Sequence, residues 1–160
     1  MGLCGSLTAT WRVGDRVFYQ SCKDASGRVW ACDRILTAQI QQRLQEEIPR
    51  VQAFTSDHIL SSAHEKQQLG QFHQADVVDM EGSAILTALG AECAIAMLRV
   101  VSDDTDHDLP DLSAAISPEG TLRLLPLTAN IMRQPIAALR LIRGSLKGLR
   151  TLQATAARLG

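Results

Sequence analysis

Apolar residues recur along this chain in two rhythms, and the switches between them predict the order of its elements. Positions 13–19 and 29–32 have the β-branched and aromatic character of strands, separated by a turn around Ser26-Gly27. From Asp33, a residue type that caps helices, apolar side chains recur at Ile35, Ile40, Leu44 and Ile48 among glutamines and glutamates, and Pro49 is expected to stop the helix. Positions 51–55 return to strand composition and lead into the polar loop Ser56-Asp57-His58. A short helix is expected over 62–72 and a very short buried strand at Val77-Val78. A helix of small and aliphatic residues follows over 80–89, ended by Gly90, and the apolar run 93–101 reads as a strand buried on both faces. That β–α–β succession predicts a parallel pair.

The first seven residues, Met1 to Leu7, are small and apolar and look like a turn at the end of a buried strand rather than the start of a domain. From Ser117 onward the spacing is helical, with Pro126 and Pro135 as breaks or starts. Over 136–160, Ile136, Leu139, Ile142, Leu146 and Leu149 form an apolar stripe, while Arg140, Arg143, Lys147 and Arg150 form a basic one. No acidic residue follows Glu119. Such a helix packs on a sheet with its basic face in water, or lies on a membrane or partner. Gly144 and Gly148 weaken it as an isolated helix, which favours the packed placement over the membrane one.

No repeat, low-complexity tract or Gly/Ser linker divides the chain, so a single domain over 1–160 is expected. The apolar fraction of 46% and charged fraction of 21% are globular, and the net charge of −1 gives no bias toward nucleic acid. The four cysteines, Cys4, Cys22, Cys32 and Cys93, form no CxxC pair, and the start lacks the charged and apolar regions of a signal peptide. Free thiols in a reducing cytoplasm are the expectation.

Chemistry concentrates at two places. Val78-Asp79-Met80-Glu81-Gly82 sets two acids and a methionine at a strand-to-helix junction, and Arg99-Val100-Val101-Ser102-Asp103 ends the next strand. Open α/β sheets bind ligands outside the carboxyl ends of their strands, so Glu81 and Asp103 are expected in one crevice. Taken singly, Glu81 also reads as a helix N-terminal acid and Asp103 as a turn or cap. The acidic segment 103–108 followed by Asp111 lacks the glycine and terminal glutamate of an EF-hand, and a solvated loop is expected there rather than a metal site.

These motifs, with Gly2-Leu3-Cys4-Gly5-Ser6-Leu7 and Val13-Gly14-Asp15 before them, resemble the purine and uridine phosphorylase superfamily and its methylthioadenosine/S-adenosylhomocysteine nucleosidase branch. The start is similar to that family's glycine turn and "VGD" strand, Val78 to Glu81 to its ribose motif, and Arg99 to Asp103 to its "R-x-x-S-D" motif. The resemblance implies a three-layer α/β/α fold with a mixed, largely parallel sheet, N-terminally truncated, cleaving the N-glycosidic bond of a purine nucleoside or thio-nucleoside. It implies Asp103 as catalytic acid, Met80 and Glu81 at the ribose, and Ile59, Leu60 and Ser102 at the base. Gly2, Leu3, Cys4 and Gly5 would stand near phosphate or water. No cofactor is implied, though phosphate is a possible co-substrate, and the implied assembly is a homo-oligomer.

The chemistry fits these residue types. Glycosidic cleavage develops positive charge on the sugar, and the departing purine needs a proton. A carboxyl kept protonated by burial would donate it, and a carboxylate on the ribose hydroxyls would hold the sugar. Departures are equally specific: Leu3 replaces the phosphorylase serine, Ile59 replaces a stacking aromatic, and the nucleosidases' water-activating glutamate has no counterpart. A non-catalytic nucleoside-binding or oligomerisation module is therefore a second reading, and a membrane-peripheral protein a third.

Overall fold

The computed structural model describes residues 1–110 and 134–160. In chain order the elements are β1 (Gly2–Ser6), β2 (Arg16–Asp24), β3 (Val29–Ala31), α1 (Arg34–Leu44), β4 (Arg50–Thr55) and α2 (Ala63–His73). Then come β5 (Val77–Asp79), α3 (Gly82–Leu89), β6 (Leu98–Asp103) and α4 (Pro135–Leu159). Pro126 and Asp111 lie outside the described residues.

Local chemistry sets several boundaries. The Asp33 carboxylate accepts from the Leu36 amide at 2.7 Å and starts α1, and the Ser62 hydroxyl accepts from the Glu65 amide to start α2. Helix α1 ends before Pro49: Gln45 takes a left-handed backbone (φ 52°) and its amide returns to the carbonyls of Gln41 and Gln42. The apolar run at 93–101 enters the sheet only at Leu98. The expected opening turn is instead strand β1, fully incorporated in the sheet.

The mixed sheet has the order β3-β2-β4-β5-β1-β6, and β6 also pairs with β2, so five strands close on themselves. Alternate side chains then point to opposite faces. Cys4, Tyr19, Ala53, Val77 and Val101 belong to one core cluster. Phe18, Leu98 and Val100 pack with Leu44 of α1 and Leu152 of α4, while Phe54 and Val78 pack with Leu69 of α2.

Two expectations require correction. β5 and β6 are not a parallel pair, because β1 occupies the slot between them, antiparallel to β5 (Gly5 opposite Val78) and parallel to β6 (Leu3 opposite Val100). Helix α4 does pack on the sheet, but mostly through small residues: Ala138, Gly144, Gly148 and Thr155 are its fully buried positions, with Leu152 partly buried beside them. A Cβ on Gly144 would lie 2.2 Å from the Ser102 carbonyl oxygen, so the glycine lets the helix ride directly on β6. The five residues of its apolar stripe are left 46–66% exposed.

Candidate functional site

Strand β1 brings the two predicted acids together. With Gly5 opposite Val78 on one side and opposite Asp103 on the other, the ends of β5 and β6 meet across it although those strands run in opposite directions. A cavity of about 260 Å³ opens there, near the lower end of small-molecule sites. Asp103 and Ser102 line it from β6, Met80 and Glu81 from the β5–α3 junction, Ile59 and Leu60 from the loop after β4, and Leu3, Cys4 and Gly5 from β1. Of the sequence-predicted site residues only Gly2 is outside it, packed against the Arg99 guanidinium.

Asp79 and Glu81 divide their work at the junction. Asp79 is buried and accepts from the Gly82 amide (3.0 Å), the Thr55 hydroxyl (3.0 Å) and the Tyr19 hydroxyl (3.2 Å), and its Oδ2 is 3.0 Å from Arg99 Nη2. The Thr55 hydroxyl oxygen in turn accepts from the Ser83 amide at 2.9 Å. Asp79 and Thr55 therefore satisfy the start of α3. Glu81 occupies the N-cap position but makes no capping bond; its side chain is 70% exposed, 3.7 Å from Arg99 Nη1. Glu81 stands at the helix start, as an N-terminal acid would, but Asp79 supplies the capping bond, and the Glu81 carboxylate is free to face the cavity.

Asp103 is no cap either. Its Oδ1 accepts from the Ser102 hydroxyl at 3.0 Å, and its Oδ2 accepts from the Lys66 ammonium, which is almost wholly buried and also donates to the Asp104 carbonyl at 3.3 Å. Gly5 makes room for this carboxylate, since a Cβ there would stand 2.7 Å from Asp103 Oδ2. The apolar setting expected for Asp103 is thus replaced by contact with a cation. Burial pushes the Cys4 thiol far up, with the Asp103 charge adding to it, so Cys4 is an inert wall of the cavity. A neighbouring cavity of about 310 Å³, between α4 and the segment after β6, also includes Ser102 and Asp103 in its lining.

The acidic loop has local work. Asp104 accepts from the Asp106 amide, Asp106 lies 3.5 Å from Arg12, and Asp108 accepts from the Ala63 amide at the start of α2. Among the described residues no group of three potential ligands converges as a metal site would.

Sequence reasoning missed Lys66, and gave Tyr19 and the Arg99 side chain no role of their own. A signal for Lys66 existed: it precedes Leu69 and Gly70 by three and four positions, on the inward stripe of α2.

This mixed-sheet α/β architecture is similar to that of solved nucleosidase and futalosine hydrolase structures. A methylthioadenosine/S-adenosylhomocysteine nucleosidase from Neisseria meningitidis, in complex with methylthio-immucillin-A, matches 98% of this chain and 65% of its own, with TM-score 0.67 and 16% identity. Futalosine hydrolase of Helicobacter pylori matches 98% and 65%, with TM-score 0.58 and 12% identity. The Campylobacter jejuni methylthioadenosine/S-adenosylhomocysteine nucleosidase matches 67% and 56%, with TM-score 0.56 and 14% identity. The chain thus spans 56–65% of the length of these proteins. No protein-family model matches it, nor does any curated protein.

Proposed function

We propose that this chain binds a purine nucleoside or thio-nucleoside and acts on its N-glycosidic bond. The observation that carries the proposal is the placement of Glu81 and Asp103 on the walls of one cavity, each held by a different cation and neither used to cap a helix. The fold likeness to purine nucleosidases supports it.

In this reading Glu81 accepts hydrogen bonds from the ribose hydroxyls, and its negative charge stabilises the sugar as the bond to the base lengthens. Met80 packs against the sugar, and Ile59 and Leu60 against the base. The Lys66 ammonium, hydrogen-bonded to Asp103, relays a proton through that carboxylate to the purine as the base departs; water or phosphate then bonds to the freed sugar carbon, and the proton it gives up restores the pair. Ser102, hydrogen-bonded to Asp103, fixes the carboxylate's orientation. No cofactor enters this scheme; we place the protein in the cytoplasm as a homo-oligomer.

The test is binding and cleavage on the same protein. Calorimetric binding of methylthioadenosine and adenosine is expected for the wild type and is expected to fall on Glu81→Ala. Release of adenine, measured with and without phosphate, is expected to fall about 10²–10⁴-fold on Asp103→Asn. Absence of nucleoside binding, or an unchanged cleavage rate in Asp103→Asn, would sink the reading.

A further inference from the structure

Helix α4 packs Leu152 and Leu159 on the core but turns another five large apolar side chains away from the protein. At 100° per residue, the buried Ala138, Gly144, Gly148 and Thr155 form one flank. Leu139, Ile142, Leu146 and Leu149 form the next, all nearly half exposed, with Ile136 exposed at 66% at the helix start. Arg140, Arg143, Lys147 and Arg150 form the third, directly beside the apolar one; all four are exposed, though Lys147 donates to the Val13 carbonyl (2.6 Å) and Arg140 and Arg143 also border the cavity that Asp103, Asp104 and Asp108 line. The outward half of α4 therefore reads as an apolar strip, about 15 Å long from Leu139 to Leu149, with a basic strip along its edge. The helix carries no acidic residue at all.

From this face we infer a docking surface for an anionic lipid bilayer. Core packing does not explain the stripe, because Ala138, Gly144, Gly148 and Leu152 make the contact with the protein on another flank. What covers the face must offer apolar volume along one strip and negative charge along the adjacent one. A bilayer with anionic headgroups offers both at this geometry: leucine and isoleucine enter the headgroup boundary while the arginines stay level with the phosphates. The same face of a second copy fits less well, since it would bring four more cations against these four. The mode is peripheral, since no described helix is long and apolar enough to cross a membrane.

The full chain should float with vesicles of phosphatidylcholine and phosphatidylglycerol, stay unbound with phosphatidylcholine alone, and release at molar salt. Two variants alter only exposed positions: Ile142→Gln with Leu146→Gln, and Arg140→Gln with Arg143→Gln and Arg150→Gln. Each should keep the wild-type melting midpoint and weaken binding to anionic vesicles at least about tenfold. The inference is overturned by absent binding to anionic vesicles, by equal binding to neutral ones, or by undiminished binding of both variants. It is equally overturned if sedimentation shows a dimer that the Ile142→Gln/Leu146→Gln variant dissociates, which would make a second copy the occupant.

Discussion

Asp79 and Glu81 stand two residues apart at the end of β5, yet Asp79 is buried on the Arg99 guanidinium and Glu81 projects into the cavity from the same guanidinium's other edge. One arginine thus supports both carboxylates, and their burial separates their functions. Asp79→Asn leaves Arg99 without its buried counter-charge and is expected to lower stability by about 3–5 kcal/mol. Glu81→Gln removes an exposed charge, so its stability should stay within about 0.5 kcal/mol of wild type. Its affinity for a nucleoside should fall by about 1.5–3 kcal/mol, the worth of hydrogen bonds to a charged group. Denaturant unfolding and calorimetry on the two variants read this split. Equal destabilisation by both would remove the distinction.

Lys66 has no exposed surface on which its charge can be solvated, so its partner is part of its environment. Lys66→Met keeps the length and apolar stem while removing the charge at Asp103. Nucleoside cleavage should then fall toward the level of Asp103→Asn, and the double variant should lose little more than either single one, because the two residues act as a unit. Additive losses in the double variant would show that Lys66 only supports the fold.

What the residues disclosed follows from how local each signal is. Asp33 and Ser62 announced α1 and α2 because a cap acts within three positions. The two acids were legible because each ends a strand, and strand ends are where ligands gather. The partner of β5 was not legible: insertion of β1 between β5 and β6 is a pairing of residues more than 70 positions apart, and periodicity carries no such information. The direction of the α4 stripe was misread for a related reason. An apolar stripe normally seeks the core, but here Gly144 and Gly148 permit a closer approach on their own flank. Lys66 was hidden by its type, since a lysine among glutamines reads as solvated surface until the fold sets it on Asp103.

Gly5 gives a steric test of the same carboxylate. A methyl group at this position would come within 2.7 Å of Asp103 Oδ2 and must turn the side chain away from Lys66. Gly5→Ala is therefore expected to cost cleavage about 10²-fold or more, as displacement of a well-placed acid does. Its helices and sheet should remain, as read by circular dichroism. Full activity in Gly5→Ala would show that the position of Asp103 is not needed.

His58 borders the cavity on the loop that carries Ile59 and Leu60, and its pH response has a defined sign. The hydrogen bond from its Nδ1 to Asp57 (2.6 Å) raises its pKa above the ordinary 6.5; burial opposes this, and Glu65, 3.5 Å from Nε2, adds to the rise. A raised folded value means that the stabilisation is complete below the unfolded imidazole's pKa and is lost as pH rises through the folded one. The imidazole is 60% exposed, so solvent screening keeps the contribution below about 1 kcal/mol. His58→Gln should therefore melt slightly below the wild type in mildly acidic buffer and match it in alkaline buffer. An NMR titration of His58 should give a midpoint above 6.5. A midpoint below that value, or a melting difference that grows toward alkaline pH, would show that the Asp57 and Glu65 contacts do not hold this loop.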